Sequence, residues 1–85
     1  MHTVDLLERA LLAVEGLGYR VRQDWLDGQG GGCEIKGQKW LFLDLASGPA
    51  EQLHLVAEVL AREVAERRVA LDPPLRRFLD GRRAA

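Results

Sequence analysis

Cysteine is almost missing from this chain of 85 residues: Cys33 stands alone, so no internal disulfide can form. A single thiol fits a reducing compartment better than an oxidising one. Long apolar runs are missing too. Nowhere do apolar residues approach the roughly 20 in succession that a membrane-crossing helix needs. Asp5, Glu8 and Arg9 break up the first apolar stretch, which a signal-peptide core would not allow. These absences lead us to expect a cytoplasmic protein that stays off membranes. Histidine is limited to His2 and His54, too few for an imidazole metal centre, and we expect no metal or cofactor.

What is present suits one small domain over residues 1–85. An apolar fraction of 47% supports a packed core, and 29% charged residues supply an ordinary wet surface. The net charge of −1 hides an asymmetry. Residues 1–61 carry five Lys/Arg against nine Asp/Glu, whereas residues 62–85 carry seven Arg against four Asp/Glu. The Arg67-Arg68, Arg76-Arg77 and Arg82-Arg83 pairs make the difference.

Hydrophobic periodicity predicts a helix over residues 3–17, with Thr3 as its cap, Val4, Leu7, Leu11 and Val14 on its inner stripe, and Gly16 and Gly18 ending it. Residues 19–25 alternate as a half-buried strand, with Tyr19, Val21 and Trp25 inward. The glycine-rich stretch 27–32 reads as a mobile connection. Strands over 33–36 and 39–45 flank Gly37-Gln38, a glycine-first pair that signals a type II′ hairpin. A second helix spans residues 49–67, with Leu53, Val56, Ala57, Leu60 and Val64 inward and Glu58–Arg62 and Glu63–Arg67 pairs on its exposed side. Asp72-Pro73-Pro74 opens a short helix over 73–79, and residues 82–85 are expected to fray. The predicted fold is therefore α+β: a two-layer α-β-β-β-α arrangement with a short C-terminal helix and a three-stranded antiparallel meander.

Strand 39–45 is apolar on both faces. Trp40, Phe42 and Asp44 point one way; Leu41, Leu43 and Leu45 point the other. A two-residue turn places Trp40 and Phe42 beside Ile35 and Cys33, and the leucines beside Glu34 and Lys36; a bulged three-residue turn inverts this. In either register one apolar row is left over, together with Leu12, Leu55 and Val59 on the charged arcs of the two helices. Exposed apolar rows mark partners, so Trp40, Leu41, Phe42, Leu43, Leu12, Leu55 and Val59 form the candidate interaction surface. The expected partner is a second copy of the chain, or another protein; the alternative is that segment 73–79 folds back over the leftover row.

Several constellations invite a chemical reading. Glu34-Ile35-Lys36 puts a carboxylate and an ammonium on one strand face, where they can hold a divalent cation and steady a water. With the helix–strands–helix order, this resembles the core of Asp…Glu-x-Lys nucleases of the restriction-endonuclease-like fold, Asp24 being the upstream acid. That reading requires Asp24, Glu34 and Lys36 to converge. The segment from Trp40 to Val64 resembles minimal zincin metallopeptidases, but Ala57 and Ala61 stand where the zinc-binding histidines belong and only Glu58 survives, so catalysis by that route is excluded. His54 and Glu58 lie one turn apart, which reads as a boundary histidine beside a surface glutamate. Cys33, next to Glu34, reads as a buried, inert thiol. The glycines lead into a strand and not a helix, which removes a phosphate-loop reading.

Arg67, Arg68, Arg76 and Arg77 are candidates for nucleic-acid contact. Interleaved acids, the helix-end position of Arg67-Arg68 and a lone aromatic, Phe78, make nucleic acid the weaker partner class. As a whole the chain resembles short uncharacterised bacterial proteins with a Gly-Gly-x-Cys-x-x-Lys-Gly hairpin; here Gly31-Gly32-Cys33-Glu34-Ile35-Lys36-Gly37 matches without the spacer, and the resemblance implies no activity. The expectation is a non-catalytic protein-interaction module, self-associating through strand 39–45.

Overall fold

The computed structural model describes residues 2–67 and 69–84. Three helices and a three-stranded mixed sheet make an α+β fold: α1 (Thr3–Gly16), β1 (Arg20–Asp24), β2 (Gly31–Ile35), β3 (Gln38–Asp44), α2 (Pro49–Arg67) and α3 (Pro73–Ala84). The helices form where the apolar period predicts them, with differences at their ends. His2, not Thr3, is the N-cap residue of α1, and it makes no side-chain capping bond. Gly18 takes a left-handed φ of 97° just beyond the helix, a conformation cheap for glycine. The Asp72 carboxylate accepts from the Leu75 N–H at 3.1 Å and so caps α3. That helix runs on past residue 79 to Ala84, with Arg76 and Asp80 paired one turn apart at 3.4 Å.

The sheet corrects the expected antiparallel meander. Its order is β1-β3-β2; β1 runs parallel to β3, and β2 runs antiparallel to it. A strand apolar on both faces belongs at the centre of a sheet, and β3 takes that place by inserting between its two predecessors. The hairpin turn is Lys36-Gly37 rather than Gly37-Gln38. Positive φ at both residues, 51° and 81°, is the type I′ pattern in place of type II′. The loop still has two residues, so Trp40 and Phe42 keep Cys33 and Ile35 as same-face companions.

Leu41 and Leu43 point toward the helices and are fully buried. They join Leu7 and Val14 of α1, Leu53, Val56 and Leu60 of α2, and Leu75 and Leu79 of α3 in one cluster. Burying a leucine of this kind stabilises the fold by roughly 1.5–3 kcal/mol. Leu41 and Leu43 are thus core residues and leave the interaction surface. Val59 leaves it too: it is 2% exposed, and with half-buried Leu55 it lies over β2.

That contact explains the glycine run. Gly31 and Gly32 belong to the strand, not to a mobile loop. A Cβ on Gly32 would sit 3.2 Å from Val59 Cγ2, and one on Gly30 would sit 3.2 Å from Leu55 Cδ2 and 2.8 Å from the Phe42 carbonyl oxygen. Missing side chains let α2 lie close on the edge strand.

Candidate binding face on the sheet

Because side chains alternate along a strand, the face opposite the helices is set by the same register that buries Leu41 and Leu43. Across it run two rows. Arg20, Trp40 and Cys33 make one; Arg22, Phe42 and Gly31 make the next. The Trp40 and Phe42 rings are stacked, with centroids 5.7 Å apart and planes 9° from parallel. The Arg20 guanidinium lies over Trp40, 5.8 Å from the ring centroid, a cation–π contact. Trp40 and Phe42 are half-buried but do not pack against the core cluster, to which all three helices contribute. Segment 73–79 therefore covers the far side of the core, not this row. Ile35 is 47% exposed and the Cys33 thiol is exposed, not buried as expected.

One end of the face is closed by a tied loop. Asp44 is buried, and its carboxylate accepts from the backbone N–H groups of Ala46 at 3.0 Å, Gly28 at 2.6 Å and Leu26 at 3.3 Å. The hydrogen bonds from Ala46 and Gly28 hold its carboxyl below the ordinary carboxylate value against the opposing effect of desolvation. The loop turns at Asp24, whose side chain accepts from the Trp25 N–H at 2.8 Å. Trp25 consequently swings outward and is 71% exposed, in contrast to its expected inward position.

A second polar cluster lies on the helix side. The Tyr19 hydroxyl donates to Glu63 Oε1 at 2.7 Å, and Lys39 Nζ donates to the same oxygen at 2.9 Å. Arg67 Nε lies 3.1 Å from Oε2 without the alignment of a hydrogen bond. Glu63 does pair with Arg67 as its spacing suggests, yet it is buried rather than on the exposed side of α2. Burial works to raise its pKa; hydrogen bonds from Lys39 and Tyr19 outweigh this and hold it low. Burial, followed by the Glu63 carboxylate, pushes the Tyr19 hydroxyl up to about 12. These groups, with Glu34, Arg62 and Glu66, line a shallow cleft of about 250 Å³. Its central carboxylate is already engaged by groups of the same chain.

The other candidate residues do not assemble. Asp24 shares the open face with Asp44, whereas Glu34 pairs with Lys39 on the helix face at the opposite sheet edge, and Lys36 sits in the turn. The carboxylates of Asp24 and Glu34 project from opposite sides of the sheet, so the nuclease triad does not form. Among the described residues, no group of three His, Cys, Asp or Glu is placed to hold a metal ion, and no helix is long and apolar enough to cross a membrane. His54 and Glu58 are both exposed on α2. Arg67 is paired with Glu63 and Arg76 with Asp80; Arg77 is exposed, and Arg68 lies outside the described residues. Leu12 is 71% exposed on α1, where it lines a shallow depression with Asp5, Glu8 and Arg9.

No protein-family model, curated protein or solved structure matches the chain.

Proposed function

We propose that this chain is a small, non-catalytic interaction module whose working surface is the open face of its sheet. The observation that carries this reading is the Trp40–Phe42 stack, held on the side of the sheet away from every helix. Trp40 and Phe42 are half-buried and Ile35 is 47% exposed, so a partner that covers them recovers a part of the roughly 1.5–3 kcal/mol that full burial of such a side chain brings. The expected surface is thereby reduced to Trp40 and Phe42 and gains Arg20, Arg22, Cys33 and Ile35, all on the same face.

Three other depressions compete for the role. One of about 390 Å³ on α1 is lined by Asp5, Glu8, Arg9 and Leu12. The groove between α2 and α3 is apolar but measures only about 170 Å³ and is lined by Ala61, Val64, Ala65 and Leu79 with the paired Arg76 and Asp80. The cleft at Glu63 is polar and internally paired. None of the three offers an unpaired aromatic surface.

The test is amide-shift mapping of the labelled protein against short single-stranded oligonucleotides, mononucleotides, acidic peptides and rising concentrations of the protein itself. Perturbations that centre on β1, β3 and the Trp40 indole support the reading. Binding that perturbs only the α2–α3 groove or the Glu63 cleft overturns it.

A further inference from the structure

Building on the open-face reading, we infer that the partner of this face is single-stranded nucleic acid, bound as a short run of stacked bases. The two cross-strand rows repeat one chemistry: a cation on β1, an aromatic ring on β3, and a small residue on β2. Arg20 and Arg22 supply the cations, Trp40 and Phe42 the rings, and Cys33 and Gly31 the space. The rows stand two residues apart, about 6.7 Å along the strand. A flat ring beside a guanidinium meets the two needs of a nucleotide, a π-face for the base and a positive charge for its phosphate. On β2 the partners of Trp40 and Phe42 are Cys33 and Gly31, which place no bulky side chain beside the rings.

Size argues against a second copy as the stable occupant. Three strands of five to seven residues make a face of about 20 by 14 Å, or roughly 300 Å². Even doubled for side-chain relief, that falls short of the about 800 Å² per partner in a standard protein interface. It does suit two or three bases, the number a sheet platform of this kind stacks. Charge points the same way. The chain is net negative overall, yet each row carries an arginine; Asp24, the next residue of β1 on this face, pairs with Arg22 at 3.5 Å, an exposed pair weak enough for a phosphate to displace, while Arg20 lies over Trp40. Apart from the two guanidiniums, which are assigned to phosphates, the rows present no amide, hydroxyl or carboxylate to a base edge, so the expected binding tolerates most sequences.

The experiment is fluorescence anisotropy of labelled oligothymidylate and oligouridylate of about eight nucleotides, titrated with the full chain over a salt series. Two phosphate contacts give a log–log salt slope of about −1.4, and Arg20→Gln reduces it to about −0.7. Trp40→Ala weakens binding by about 5- to 150-fold. Trp40 lies outside the core cluster, so that variant is expected to fold, and exposed Arg20 provides a second, milder test. No binding at low salt overturns the inference. So does binding that is untouched by Trp40→Ala and Arg20→Gln but lost in Arg76→Gln/Arg77→Gln. Concentration-dependent self-association that requires Trp40 and excludes the oligonucleotide also overturns it, while leaving the open face as the working surface.

Discussion

Tyr19 and Glu63, 44 residues apart in sequence, meet through a 2.7 Å hydrogen bond that ties the entry of β1 to the C-terminal half of α2. Lys39, at the start of the central strand, donates to the same carboxylate oxygen and also lies 5.4 Å from the Tyr19 ring centroid. One buried acid thus joins strand, helix and sheet centre on the side away from the open face.

Removing the donor should weaken this junction. Tyr19→Phe keeps the ring and deletes a hydrogen bond to a charged group, a loss of about 1.5–3 kcal/mol, read from the urea midpoint. A midpoint unchanged from the parent protein would mean that the bond contributes nothing.

The same junction sets two limbs of the pH profile. Glu63 titrates below its ordinary value of 4.5 in the folded chain. Its contribution is therefore complete above that pH and is lost as pH falls through the lower folded value. Tyr19 behaves in the opposite sense: raised from 10.0 to about 12, it stabilises the fold below pH 10 and ceases to do so as pH climbs toward 12. Tyr19 is the only tyrosine, so its ultraviolet ionisation reports on this site alone. Glu63→Gln should reduce the acid limb to the part that Asp44 contributes, and Tyr19→Phe should flatten the alkaline limb; an alkaline limb that persists in Tyr19→Phe contradicts the assignment.

Close approach of α2 to β2 ranks two glycine substitutions. Gly30→Ala places a Cβ 2.8 Å from a backbone oxygen, which cannot step aside as a side chain does. Gly32→Ala meets Val59 Cγ2 at 3.2 Å, where a small side-chain adjustment suffices. Overpacking of this sort costs about 1–3 kcal/mol, with Gly30→Ala at the upper end and Gly32→Ala below it. Chemical denaturation of the two variants gives the order, and a reversed order would contradict the packing.

The hairpin turn leaves room for improvement. Lys36 holds a left-handed φ of 51°, a conformation that asparagine accepts more readily than lysine. Lys36→Asn creates the favoured pair ahead of Gly37 and should stabilise the protein by up to about 1 kcal/mol, raising Tm without altering any binding at the open face. A lower Tm would show that the turn is not of type I′.

Much of this architecture is legible in the chain. Apolar spacing locates all three helices, Asp72-Pro73-Pro74 marks the cap of α3, and the alternation of Trp40-Leu41-Phe42-Leu43 divides β3 between two faces. Pairing order is a different kind of information. Nothing local to Arg20–Asp24 says that it lies parallel to β3, since sequential neighbours usually pair and the exception arises from the competition of three strands for the centre. Val59 looks stranded on a polar arc because its partner, Gly32, has no side chain with which to announce a contact. Glu63 looks like a surface member of an i,i+4 pair because Tyr19 and Lys39, which bury it, come from the other layer. The aromatic members of the open face are readable; their arginine companions are not, because they are assembled by the parallel pairing.

Whether Trp40 is where a ligand lands can be read from its own emission. In a Trp25→Phe background Trp40 is the only tryptophan, and adding oligothymidylate at low salt should quench it to saturation, in step with the anisotropy of the labelled strand. Saturating anisotropy with Trp40 emission unchanged would place the ligand elsewhere and contradict the open face as the working surface.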